Sequence, residues 1–256
     1  MTNCAKAIAV LACAALLSLF GPVAMGQSEI RVVRGDESYP PFEIWVDGRL
    51  TGLHIELVEA AAKRLGASVK WESLPWKRAL LMVETGQADA VTYVTRTPER
   101  EAWALFLAGN VLTVSEVRFI VMKEQAQRIT FDGNLADFLE QHKPIVVRGF
   151  MYGSPELDRP KKLEGNNMQD VVRMLKAGHS NLAVVNWGDF VGTFKDKPEL
   201  AAVLPLKPAI LSMQNYIAFS RNKTGEDLAS RFAAALSDFK NSPEYTALLR
   251  RYQLER

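Results

Sequence analysis

Short apolar or β-branched runs alternate with helix-period segments from residue 30 to residue 94, and this alternation restricts the chain to a narrow set of folds. Ile30 to Val33, Ser68 to Trp71 and Ala88 to Val94 read as strands bounded by turn or helix signals. Between the first two, Ile55, Val58, Ala62 and Leu65 recur at helical spacing, and Gly66 stops the run as a left-handed residue ends a helix. Strands joined by such crossovers run parallel and form a sheet covered on both faces. The expectation is a βαβαβ half.

A second set of elements follows. Val117 to Met122, Pro144 to Arg148 and Leu182 to Val185 read as strands, Asn134 to Glu140 and Met168 to Ala177 as helices, the latter ended by Gly178. Beyond Lys207-Pro208 come a strand at Asn215 to Phe219 and a helix whose Leu228, Phe232, Leu236 and Phe239 form one apolar stripe. Thr224 to Asp227 resembles a capping box, and Ser242-Pro243-Glu244 opens the last helix with a cap, a proline and an acid. Short connections near Leu112 to Val117 and Leu206 to Gln214 join the halves. With the C-terminal helices returning to the first half, lobe 1 comprises residues 27–114 plus 212–256 and lobe 2 residues 115–211. A cleft with a two-strand hinge results, the usual place for a small ligand.

Residues 1–26 read as an export signal and are set apart from the fold. Lys6 precedes a mostly apolar run from Ala7 to Phe20, and Ala24-Met25-Gly26 offers small residues for cleavage. Both cysteines, Cys4 and Cys13, fall in this segment, so the exported chain is expected to hold neither a disulfide nor a thiol nucleophile. The net charge of +2 falls to +1 without Lys6. The short basic run Arg159 to Lys162 lies beside Pro160 with no aromatic company, which argues against a nucleic-acid partner. A periplasmic monomer is expected.

Four stretches carry a resemblance: Asp36-Glu37-Ser38-Tyr39-Pro40-Pro41-Phe42, Thr51-Gly52-Leu53, Gly86-Gln87-Ala88-Asp89-Ala90 and Thr97-Pro98-Glu99-Arg100. In this order and spacing the chain resembles the family 3 solute-binding proteins, amino-acid receptors of ABC importers in bacterial periplasms. The resemblance implies the α/β two-lobe periplasmic binding protein fold (type II), each lobe a mainly parallel sheet flanked by helices that closes on a small-molecule ligand. It also implies importer membrane subunits as partners.

Position by position, Arg100 falls within a helix capped by Thr97, where its guanidinium and the free N–H groups suit a ligand carboxylate. The alternative is a surface pair with Glu99, Glu101 or Asp89. Tyr39 and Trp76 match the family's aromatic walls, which supply apolar area and affinity for cations. Tyr93 and Thr95 match its hydroxyl and backbone contacts, and Asp36 could take a ligand cation or cap the turn before Pro40. Arg78 is either a second anion contact or a solvated helix residue. In the second half Arg148, Tyr152 and Trp187 adjoin the turns that face the cleft; Arg148, Asn186 and Trp187 are taken as candidates. Two departures stand out. The family's acid for the ligand ammonium falls on Asn186, and a family hydroxyl falls on Met151. Either Asp36 or Asp189 replaces the acid, or the ligand lacks an ammonium; the expected ligand is a small polar or anionic metabolite, an amino acid or a related carboxylate.

The enzymatic alternative, a periplasmic dehydratase on the same fold, needs an acid and a base in the cleft, and Asp36 and Glu72 are the conceivable pair. Neither a Gly-x-Ser-x-Gly elbow, a His-Glu-x-x-His pair nor a phosphate loop occurs. His54, His142 and His179 lie far apart in sequence. The expectation is a binding protein without catalytic residues, metal or cofactor. A ligand sensor docking on a membrane receptor would use the same clamp.

Overall fold

Strand β1 (Ser28–Gly35) lies between two parallel neighbours. It pairs with β4 (Ala67–Leu74) from Ser28↔Ala67 to Gly35↔Leu74, and with β5 (Ala90–Val94) through Val32↔Ala90. The computed structural model describes residues 28–158, 163–221, 225–252 and 254. The expected signal segment, the Arg159 to Lys162 run and Thr224 of the expected capping box lie outside the described residues.

Helices α1 (Leu53–Arg64) and α2 (Trp76–Glu84) make the two crossovers. Successive strand residues point to opposite faces, so Val32 packs with α1 and Val33 with α2. The start of α1 depends on Gly52 at φ +123, where a Cβ would sit 2.3 Å from the Phe42 carbonyl oxygen. That approach lets the Leu53 and His54 N–H groups donate to the carbonyls of Pro41 and Phe42, which fixes the segment carrying Glu43. A hairpin of β2 (Ile44–Val46) and β3 (Arg49–Thr51), absent from the sequence expectation, turns through Asp47 and Gly48, both at positive φ.

The expected connections between the halves are instead the middle of the sheet. β7 (Val111–Met122) and β12 (Leu211–Ser220) run antiparallel from Leu211↔Val117 to Tyr216↔Val111. Polar Thr113, Ser115, Gln214 and Asn215 interrupt the apolar pattern there, but main-chain pairing does not need apolar side chains, so the strands start earlier than hydropathy suggests. β12 continues onto β5, and β7 onto β10 (Ala183–Asn186). One mixed sheet therefore runs β4-β1-β5-β12-β7-β10-β8-β9, where β8 is Ile145–Val147 and β9 Leu163–Gly165. β6 (Ala104–Leu105) joins it at β12 and β11 (Val203–Pro205) at β7. The pairs β1–β4, β1–β5, β8–β9 and β8–β10 are parallel; the central ones are antiparallel because the chain turns back there.

Apolar side chains gather on both sides of this crossing. α8 (Gly225–Lys240) buries Phe232 and Leu236 beside Phe219 of β12 and the inner face of α1, and α9 (Pro243–Arg251) adds Leu248. A fully buried Leu or Phe stabilises by about 1.5–3 kcal/mol, so this face anchors the C-terminal helices to the first lobe. Lys240 donates to the carbonyls of Val111 and Leu112 at 2.6 and 3.0 Å, pinning the start of β7. In the second lobe, Phe119, Phe131 and Phe138 pack together under α4 (Leu135–Gln141), and α5 (Met168–Lys176) covers the other face with Val171, Val172 and Leu175.

Candidate functional site

A cavity of about 80 Å³ opens where the two lobes meet, bordered by loop ends of the first lobe, by the β8 loop and α6 (Trp187–Thr193) of the second, and by Met213 and Asn215 of the hinge. From the first lobe come Asp36, Tyr39, Glu43, Trp76, Tyr93, Thr95 and Arg100; from the second, Phe150, Met151, Tyr152, Asn186 and Asp189. Seven of the nine sequence candidates therefore border one space.

Arg100 reaches it because Thr97 starts α3 (Pro98–Glu101), its hydroxyl accepting from the Arg100 N–H at 3.3 Å. The guanidinium is buried, donates to the Thr95 carbonyl at 2.8 Å and sits over the Trp76 ring at 5.8 Å. Among the described residues no carboxylate stands within ion-pair distance of it. Burial pulls its pKa below the usual arginine value. A buried guanidinium with unused donors favours an incoming anion, bound by two parallel hydrogen bonds.

Asp189, also buried, borders the same cavity from the second lobe. It sits in the first turn of α6, whose cap is Asn186: the Asn186 side-chain oxygen Oδ1 accepts from the N–H groups of Gly188 and Asp189 at 3.2 and 3.4 Å. The Asn186 amide donates to Ser115 Oγ at 2.7 Å. Asn186 thus holds helix and hinge strand together. Burial raises the Asp189 pKa from 3.8 to about 7, against a hydrogen bond from the Tyr93 hydroxyl that lowers it and the nearby Glu43 charge that raises it. Tyr93 itself takes φ +56 at the end of β5, a conformation costing about 1–3 kcal/mol that is met most often at ligand sites.

Aromatic rings line the remainder. Tyr39 meets Tyr93 edge-on at 5.5 Å and Phe150 of the other lobe at 6.0 Å. The loop holding Phe150 to Tyr152 is shaped by Asp158, whose carboxylate accepts from the N–H groups of Tyr152, Gly153 and Ser154. Across the cleft the lobes touch closely: a Cβ on Gly192 of α6 would fall 1.8 Å from the Pro40 carbonyl oxygen, and one on Gly188 would meet the Phe42 ring. Behind the aromatic wall runs a buried polar chain. Arg34 Nε donates to Glu43 at 2.7 Å, Glu43 Oε1 lies 3.5 Å from His54 Nδ1, and His54 Nε2 lies 2.8 Å from Thr113 Oγ1. The Asn215 amide then bridges Thr113 and Ser115, and Ser115 meets Asn186.

Two candidates stand elsewhere. Arg148 leaves the end of β8 toward solvent, 63% exposed, and pairs with Glu164 at 3.3 Å. Trp187 lies stacked on Phe190 at 5.6 Å against the α5 side of the second lobe, because the first residue of α6 points away from its cavity face. Arg78 is exposed on α2, and Asp36 is an exposed rim residue. Sequence reasoning missed Glu43, Phe150, Met213 and Asn215 as lining residues, and left Tyr152 out. Glu43 directly follows the Pro40-Pro41-Phe42 turn, which was the available signal. Met213 gave none, because it read as part of a connection, and Asn215 gave none as the first residue of an expected strand. Among the described residues no group of three or more His, Cys, Asp or Glu side chains could hold a metal ion.

Two α/β lobes on a two-strand crossing, with a buried cation and a buried acid in the cleft between them, define a clamp for a small solute. The chain belongs to the bacterial extracellular solute-binding proteins, family 3, whose sequence model matches residues 32–255. It is similar to the arginine-binding extracellular protein ArtP of Bacillus subtilis, 21% identical over 224 residues, 84% of this chain and 82% of that protein. A probable amino-acid-binding protein of the same organism, YxeM, is 31% identical over 100 residues, 36% of this chain and 38% of that one. In fold it matches a histidine kinase sensor domain with similarity to periplasmic binding proteins, at TM-score 0.73 and 18% identity over 88% of this chain and 96% of that one. A mutant of the arginine-binding protein of T. maritima matches at TM-score 0.70 and 19% identity over 89% and 96%. The role is binding a solute.

Proposed function

We propose that this protein captures a free α-amino acid, or a closely related carboxylate, and delivers it to an ABC importer in the periplasm. The observation that carries the reading is the presence in one cavity of a buried guanidinium without a carboxylate partner among the described residues and a buried acid from the other lobe, Arg100 and Asp189. Arg100 would take the ligand carboxylate through its two-pronged donor face, and Asp189, oriented by Tyr93, the ammonium. Tyr39, Trp76 and Phe150 would enclose the side chain, with Thr95 and the Asn186 cap completing the walls. Asp189 stands in for the acid that the family carries at the Asn186 position.

The amino-acid-binding relatives support the same class. In this reading residues 27–114 plus 212–256 form one moving lobe and residues 115–211 the other, residues 1–26 direct export, and the monomer closes on its ligand. Bound ligand bridging both lobes stabilises the closed state, which the importer then recognises. A thermal-shift screen of residues 27–256, refolded to remove carried-over solute, tests this against amino acids, des-amino acids, polyamines, aromatic acids and sugars. A ligand at about 100 times its Kd adds roughly 2.7 kcal/mol, or about 5–10 °C for a chain this size. Shifts with amino acids support the reading. Shifts confined to sugars or polyamines, or turnover of a prephenate-like acid, would replace it.

A further inference from the structure

We infer that the side-chain end of the cavity is closed to cationic ligands by a guanidinium of the protein's own: Arg34 occupies the partner position on Glu43, so the ligand side chain is uncharged. This rests on the amino-acid reading and narrows it.

Glu43 and Asp189 are the two buried carboxylates bordering the cavity. Asp189 is the one suited to an ammonium. Glu43, which borders the cavity, would by position alone be a second cation site, and a chain with a free carboxylate there would favour a basic amino acid. The charge of that carboxylate is already neutralised, through one of its oxygens. Arg34 is fully buried and its Nε donates to Glu43 Oε2 at 2.7 Å. Its other nitrogens donate to Ser73 Oγ at 3.1 Å and to the Glu37 carbonyl, so three fixed acceptors hold the guanidinium. The second Glu43 oxygen lies 3.5 Å from His54 Nδ1, too far for a hydrogen bond, and next to the Arg34 charge that already neutralises the carboxylate. An incoming ammonium or guanidinium would have to displace Arg34 or lie against it as a like charge in a poorly solvated site, where repulsion is strong.

The buried charges then balance with one zwitterion and nothing more. Arg100 meets the carboxylate, Asp189 the ammonium, and Arg34 neutralises Glu43. Asp36 and Glu37 add negative charge only at the exposed rim, where water screens it. Tyr39, Phe150 and Met151 give the remaining wall an apolar surface that suits a compact neutral side chain.

The test has two arms. In the first, wild-type protein is titrated with L-arginine and L-lysine and with L-serine, L-valine and L-phenylalanine; at least one neutral ligand is expected to bind about 100-fold more tightly than either basic one. Arginine or lysine binding as tightly as the best neutral ligand overturns the inference. The second arm does not depend on the amino-acid reading. Arg34→Ala is expected to lose thermal stability and regain it in millimolar methylguanidine, while wild type is unaffected and Arg34→Ala/Glu43→Gln shows no rescue. Absence of rescue in Arg34→Ala overturns the inference; should that variant not fold, Arg34→Met, which fills the space without the charge, is titrated with the amino acids of the first arm, and an unchanged preference for the neutral ones overturns it. If no amino acid binds in the first arm, the proposed function fails, and the methylguanidine rescue still decides whether Arg34 fills a cation position on Glu43.

Discussion

Raising the pH from about 5 to about 8 is expected to tighten ligand binding while weakening the empty fold, and both effects trace to Asp189. Burial lifts its pKa from 3.8 to about 7. Between those two values the folded, empty protein holds a proton that the unfolded chain has released, so stability falls as pH rises through the window and levels off above about 7. Three pKa units at about 1.4 kcal/mol each set an upper bound of about 4 kcal/mol on that loss. A ligand ammonium beside the carboxylate reverses the preference: it favours ionised Asp189, so binding below pH 7 expels about one proton. The Kd should then fall by up to tenfold per pH unit from about pH 5 to about pH 7 and stay flat above. Calorimetric titration in two buffers of different protonation enthalpy counts that proton directly. Asp189→Asn should remove the pH dependence, weaken binding and stabilise the empty protein at pH 8. The charged or titratable neighbours are Tyr93, Glu43, Tyr39 and Tyr152, of which Glu43 is held ionised, against its burial, by His54 and Arg34, and all three tyrosines are pushed upward by burial, so none of them titrates in this range. A Kd constant between pH 5 and pH 7 with no proton exchanged would refute the assignment of Asp189 to the ligand cation.

Other outcomes follow from the same geometry. Arg100→Ala should weaken binding by roughly one to two decades, the worth of a charge-assisted hydrogen bond of about 1.5–3 kcal/mol, and Arg100→Lys should restore only part, as read by isothermal titration. Gly192→Val should hold the lobes apart, since even a Cβ there meets the Pro40 carbonyl at 1.8 Å; small-angle scattering should then show a ligand-independent open form with thermal stability near wild type. Asn186→Ala removes the α6 cap and should cost about 1 kcal/mol in denaturant unfolding, with a further loss of affinity because Asp189 is no longer oriented.

The elements that bury one clean face were legible in the sequence. α1, α5 and α8 carry apolar residues at helical spacing and end near Gly66, Gly178 and Ser242, and the structure keeps each within three residues of the expected bounds. β7 and β12 were read short because Thr113, Ser115, Ser212 and Gln214 interrupt the apolar pattern, so period and hydropathy carry no signal there. At the site, local motifs with a mechanical role placed their residues in the cavity: the Thr97 cap positions Arg100, and the Pro40-Pro41 turn positions Tyr39. Arg148 and Trp187 were chosen for lying beside the right turns, and one residue of rotation along a strand end or a helix start was enough to send them outward. The Arg34–Glu43–His54 chain joins β1, the turn before the hairpin and α1, a meeting that only the folded topology produces.

The central claim, that one cleft holds a carboxylate and an ammonium at once, is tested most directly by titrating wild-type protein with three matched ligands: the tightest-binding amino acid, its des-amino acid and its decarboxylated amine. The account predicts that both truncated ligands bind at least tenfold more weakly than the parent, the amine losing Arg100 and the acid losing Asp189. Equal affinity for the parent and the des-amino acid would contradict it, leaving Asp189 a protonated structural residue and the ligand a simple carboxylate.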